Sequence, residues 1–124
     1  MVDETLVFVF EDDIVVGEDL CDMISAQDGI ACRVFSKFSD LVRSQRQGDR
    51  QPDAIFAVYD PEALEVEAHL TQATVQGIRV VLINGAAAEA RVAGSGNWLH
   101  LQKPFTQEDV FEMVKEVFTD RLKA

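Results

Sequence analysis

Basic residues are scarce in this chain. Eleven Lys and Arg stand against 22 Asp and Glu in 124 residues, a formal net charge of −11. That shortage argues against a nucleic-acid binder, because a phosphate backbone is held by a basic face. It argues equally against docking on an anionic membrane. Apolar runs such as Ala54 to Tyr59 are far too short to span a bilayer. The opening Met1-Val2-Asp3-Glu4 lacks the basic start of a secretory signal, so a cytoplasmic protein is expected. With only two cysteines there is no disulfide framework, and Cys21 and Cys32 are expected to be reduced, semi-buried packing residues.

What is present describes one ordinary domain over residues 1–124. The apolar fraction is 48% and the mean hydropathy is close to zero, unlike a disordered acidic tail. A chain of this length buries a normal core without metals or cross-links. The charge is uneven: the first thirty residues carry nine acids and no Lys or Arg. Most of these acids read as solvated helix faces. Glu11-Asp12-Asp13 stands apart because it follows an apolar segment directly.

Leu6 to Phe10 is a short, continuous apolar run, which predicts a strand covered on both faces. Val16, Leu20, Met23 and Ile24 then recur at helical spacing, and Gly29 is a stop signal. Ile30 to Phe35 predicts a second strand. Ser36 or Ser39 could cap a second helix carrying Phe38, Leu41 and Val42, ended by Gly48. Pro52-Asp53 opens a third strand, Ala54 to Tyr59. Asp60-Pro61-Glu62 predicts a helix start, with Asp60 as N-cap and Ala63, Val66, Leu70 and Ala73 on the apolar face. His69 falls on this helix as a surface residue. Ile78 to Ile83 is a fourth strand, Ala86 to Val92 a short helix, and Trp98 to Leu101 a fifth strand. Thr106 with Asp109 three residues on predicts a capping box for the last helix.

Five βα units with buried strands imply a parallel sheet with helices on both faces. At this length the leading topology is the flavodoxin-like doubly wound sheet, strand order 2-1-3-4-5. Ligands in such sheets sit beyond the carboxyl ends of the strands. The residues to inspect are therefore Glu11-Asp12-Asp13, Val58 to Asp60, Asn84 and Lys103. Clustered acids facing a lysine suit a Mg²⁺-assisted phosphoryl site. They equally suit a structural arrangement in which the acids cap the first helix and Lys103 pairs with one of them.

With these residues the chain resembles a response-regulator receiver domain of two-component signalling. The resemblance spans essentially the whole sequence. It rests on Val7 to Asp13, on Pro52-Asp53 before an apolar strand, on Arg79 to Ile83, and on Lys103-Pro104-Phe105. It implies that Glu11 and Asp12 match the family's Mg²⁺-binding acid pair and that Lys103 matches its phosphate-pairing lysine. It also implies partners among signalling proteins, a histidine kinase or an output protein. The phosphoacceptor position falls on Val58, which has no nucleophilic oxygen. The hydroxyl position falls on Asn84 and the switch aromatic on His100.

Asp60 lies on the same strand face as Val58 but about 6–7 Å further along at ~3.3 Å per residue. That offset is large for in-line phosphoryl transfer. Three readings follow. The first is a receiver-like, non-enzymatic module acting by phosphorylation-independent protein contact. The second is a divergent working receiver phosphorylated on Asp60 with Mg²⁺. The third is a small flavodoxin-like ligand-binding protein or enzyme. The last helix has more apolar residues than one core stripe needs, and Phe111, Phe118 and Leu122 are expected to form a partner or homodimer surface.

Overall fold

A computed structural model describes residues 4–27, 29–48, 50–60, 62–83 and 98–118. In chain order the elements are β1 (Thr5–Phe10), α1 (Ile14–Ser25), β2 (Ile30–Phe35), α2 (Phe38–Gln47) and β3 (Ala54–Val58). They continue with α3 (Leu64–Val75), β4 (Arg79–Ile83), β5 (Leu99–Leu101) and α4 (Gln107–Val117). The five strands form one sheet in the order β2-β1-β3-β4-β5. Every neighbouring pair is parallel. This is the doubly wound sheet that the alternation of apolar strands and amphipathic segments predicts. The expected helix over Ala86 to Val92 lies outside the described residues.

Strand alternation divides the core into two layers. Val7, Val9, Ala54, Phe56, Val81 and Ile83 point to one face and pack with Leu20 and Ile24 of α1 and Val110, Val114 and Val117 of α4. Phe8, Ile55, Ala57, Val80 and Leu82 point to the other and pack with Leu41 of α2 and Val66, Leu70 and Ala73 of α3. Because both faces are covered, strands β3 and β4 are almost continuously apolar, as a parallel sheet requires.

The helix ends show where local signals hold. Asp13 caps α1, its Oδ1 accepting from the amides of Val15 at 3.1 Å and Val16 at 3.4 Å. Thr106 and Asp109 form the expected capping box on α4. Neither Ser36 nor Ser39 is the cap of α2: Lys37 occupies the N-cap position without a side-chain bond. Helix α3 also starts later than expected, with Ala63 at its N-cap. Asp60 instead closes a turn, its Oδ1 accepting from Glu62 N at 2.9 Å and its carbonyl from Ala63 N at 3.0 Å. An Asp side chain that satisfies the amide two residues on competes with helix initiation. His69 is more than a surface residue. Its Nε2 lies 2.8 Å from Gln45 Oε1 and its ring stands edge-on to Phe38, linking α3 to α2.

Candidate functional site

The carboxyl ends of the strands bring Glu11, Val58 and Lys103 to one edge of the sheet. β1 ends at Phe10, and the chain stays on the sheet for one more residue because Glu11 N donates to Phe35 O at 3.1 Å. This turns the Glu11 side chain inward, where it is fully buried. Its Oε1 accepts from Asp13 N at 3.1 Å. Its Oε2 meets Lys103 Nζ at 2.8 Å, a close ion pair outside hydrogen-bond alignment. Burial raises the Glu11 pKa, and the Lys103 ammonium and the Asp13 amide pull against that rise without overcoming it.

The other two acids are exposed, and the Asp12 carboxyl, next to that of Glu11, adds to the rise of the Glu11 pKa. Asp13 is committed to capping α1. The three consecutive acids thus have three different environments: one buried counter-ion, one exposed neighbour of it and one helix cap. The floor between Glu11 and α1 is tight. Gly17 is buried, and a Cβ at this position would stand 2.7 Å from Val34 Cγ2 and 3.2 Å from Glu11 Cβ.

Val58 is the last residue of β3, in register with Ile83 of β4. It is half-buried and presents only methyl groups at this edge. Asp60 is exposed on its turn, two residues beyond the strand. His100 is half-buried in β5, in register with Leu82. Asn84 and Leu122 lie outside the described residues. The Lys103–Pro104 peptide bond is cis.

The acids at this edge do not add up to a three-carboxylate cluster among the described residues. Both Glu11 oxygens already face a donor, and Val58 supplies no third carboxylate beside Glu11 and the exposed Asp12. Among the described residues no group of three or more His, Cys, Asp or Glu is placed to hold a metal ion. Of the expected Glu11–Asp12 pair, Glu11 is thus enclosed and held by Lys103, while Asp12 is exposed beside it.

The proposed partner surface also changes. Phe118 is buried, sealing the core beside Val114 and Val117 at the end of α4. Phe111 is half-buried. The large apolar side chains that do stand in solvent near the strand ends are Ile14 and Val15, which open α1, and Leu64, which opens α3. Val15 is 65% exposed and Leu64 70%, so neither contributes much to the core. Periodicity could not mark them, because both fall in the first turn, where a helix has not yet settled onto the sheet. Beside α1, Val16, Asp19, Met23, Lys103, Pro104 and Phe105 line an open groove of about 470 Å³.

Comparison with solved structures places this architecture. The chain matches the chemotaxis response regulator CheY4 of Vibrio cholerae at a TM-score of 0.74 and 13% identity, over 92% of this chain and 98% of that one. It matches a response regulator receiver protein from Sinorhizobium medicae at a TM-score of 0.75 and 18% identity, over 98% and 99%. The response regulator domain of Thermotoga maritima CheB gives 0.69 and 18%, over 94% and 95%. The fold is that of a response-regulator receiver domain. No family model and no curated protein matches the sequence. On this receiver fold the strand-end edge holds a closed Glu11–Lys103 pair, a valine and a rim of exposed aliphatic side chains.

Proposed function

We propose that the chain is a receiver-type signalling module that acts by protein–protein contact and does not take up a phosphoryl group. One observation carries this reading: β3 ends in Val58 while Lys103, the cation of the same edge, is already paired with buried Glu11. A phosphoryl acceptor needs a nucleophilic oxygen, and a phosphorylated site needs a free counter-charge. Val58 has no such oxygen, and Lys103 is already engaged by Glu11. What the edge offers a partner is apolar: Ile14, Val15 and Leu64 in solvent around the strand ends. A signalling protein, either a histidine kinase or an output protein, is the partner class that the receiver fold suggests. We read the module as cytoplasmic and non-enzymatic. No helix of the described residues is long and apolar enough to cross a membrane.

The test is incubation with Mg²⁺ and a small phosphodonor such as acetyl phosphate, followed by intact mass. The mass is expected to stay unchanged. A gain of about 80 Da that disappears in Asp60→Asn would overturn the proposal and make Asp60 the acceptor of a divergent working receiver. A large thermal shift with a nucleotide or flavin, without any mass gain, would point instead to a small ligand-binding protein.

A further inference from the structure

The basic residues of this acidic chain are concentrated around α2. Residues 33–50 hold five of the eleven Lys and Arg but only two of the 22 acids. Two of the five, Arg43 and Arg46, stand exposed along α2. With Phe38, Val42, Glu65 and His69 they line a groove of about 640 Å³ between α2 and α3. A second groove of about 500 Å³ between the same helices shares Arg46 and His69 with the first. The two therefore form one elongated cleft, with Arg46 and His69 at its middle. The ten residues of α2 span about 15 Å at 1.5 Å per residue. That length suits an extended segment of about four or five residues.

We propose that this α2–α3 cleft docks a short acidic peptide segment of a partner protein, with its carboxylates on Arg43 and Arg46 and an apolar side chain on Phe38 and Val42. This rests on the reading of the chain as a protein-contact module and gives that contact a surface on the helices. The cations are available. Arg46 is paired with no carboxylate of the described residues. Arg43 is held by Asp40 at 3.1 Å, an exposed pair that a partner's carboxylate replaces at little cost. His69 adds no charge. Burial, and then the Arg46 guanidinium, push its pKa below the ordinary value, and its Nε2 is engaged 2.8 Å from Gln45 Oε1.

The second groove identifies the occupant as a peptide. Beyond Arg46 and His69 its polar lining is made of glutamines. Gln45 is buried, and Gln51 already donates to Gln45 O at 2.8 Å. Gln72 and Gln76 are exposed on α3 and at its C-cap. Each carboxamide carries both a donor and an acceptor, as a peptide main chain does. A nucleic acid demands donors and a much wider basic face. Phe38 and Val42 are half-buried, so an apolar side chain seated on them adds contact that charge alone does not give. Glu65 on the α3 wall repels acids there, which leaves the α2 wall to the acids of the segment.

The labelled full chain is screened on an array of random short peptides, and the strongest binders are titrated by fluorescence anisotropy. The binders should be enriched in Asp and Glu beside Leu or an aromatic residue. In the wild type, a bound peptide should shift the backbone amides of α2 and α3. Arg46→Glu should weaken binding about tenfold. Lys115→Glu makes the same charge change on α4 and should leave binding within about twofold. Equal losses from the two variants would overturn the proposal, because net charge and not the cleft would then govern binding. So would binders without acids, amide shifts confined to other elements, or complete displacement by inorganic phosphate. Self-association lost in Arg46→Glu would make a second copy the occupant and overturn it as well. An array without binders overturns this proposal and leaves the phosphodonor test untouched, so the two readings fail separately. The wild-type array and amide shifts stand without any variant.

Discussion

Lys103 Nζ lies 2.8 Å from Glu11 Oε2, and the two side chains differ sharply in burial: Glu11 is fully enclosed while Lys103 is 29% exposed. The pair joins the end of β1 to the segment after β5, the first and last strands in the chain. Its asymmetry sets what each truncation does. An enclosed carboxylate has nowhere to go when its partner is removed, whereas the lysine can swing its ammonium into water.

Lys103→Met should therefore be the more damaging single change. It leaves Glu11 buried without a counter-charge and is expected to cost about 3 kcal/mol. Glu11→Gln keeps an acceptor for the Asp13 amide and frees a lysine that can hydrate, so about 1 kcal/mol is expected. The double variant should lie well below the sum of the two, because removing both charges removes the penalty. Urea unfolding followed by the fluorescence of Trp98 measures all three. Equal losses from the two single variants would show that the burial asymmetry does not govern the pair.

The same carboxylate should leave a signature in the pH dependence of stability. Glu11 has a pKa raised above the ordinary 4.5, chiefly by desolvation. Between that value and the raised one, the folded state holds more protons than the unfolded state. Stability from this group is then fully present below 4.5 and is lost as pH rises through the folded pKa. The steepest slope of one group is about 1.4 kcal/mol per pH unit. Subtracting the unfolding curve of Glu11→Gln from that of the wild type isolates it from the other acids. A difference that grows with rising pH would contradict the assigned burial.

Gly17 tests the packing beneath that pair. Alanine is the better helix former by about 1 kcal/mol, so Gly17→Ala should stabilise α1 if propensity decided. The added Cβ would instead press on Val34 at 2.7 Å and Glu11 at 3.2 Å. Overpacking a closed site costs about 1–3 kcal/mol, and a net loss of about 1 kcal/mol is expected. In a Val34→Ala background the contact is relieved, and Gly17→Ala should become neutral or stabilising. Thermal melts of the four proteins decide it.

The fold was legible because burial on both faces writes itself into the sequence. Runs such as Ile55 to Ala57 and Val80 to Ile83 have no polar face to hide, and the segments between them keep helical spacing. Thr106 with Asp109 was readable for the same reason, as a local bond made within three residues. Caps were less secure where two local bonds compete, and Asp60 closes a turn while α3 begins at Leu64. The site was harder. Glu11, Asp12 and Asp13 look alike in sequence, yet only the Glu11 amide bonds to β2, and that single bond turns its side chain inside. Spacing on a wheel also could not show that α4 reaches the core as far as Phe118.

Asp53 offers a test of how the strand edge is fastened, since the Pro52-Asp53 signal proved to have a mechanical basis. Its Oδ2 accepts from Leu6 N at 2.8 Å and from Arg50 Nη2 at 3.0 Å, and its own amide donates to Leu6 O at 2.7 Å. The side chain thus satisfies a backbone donor of β1 just before β1 and β3 come into register at Val7 and Ala54. Asp53→Ala removes that acceptor from a largely buried place and is expected to cost about 1–2 kcal/mol. Arg50→Ala removes only an exposed ion pair and should cost about 0.5 kcal/mol or less. Amide hydrogen exchange separates the two: the Leu6 amide should lose protection in Asp53→Ala and keep it in Arg50→Ala. Equal protection in both variants would mean that the Leu6 amide does not depend on Asp53.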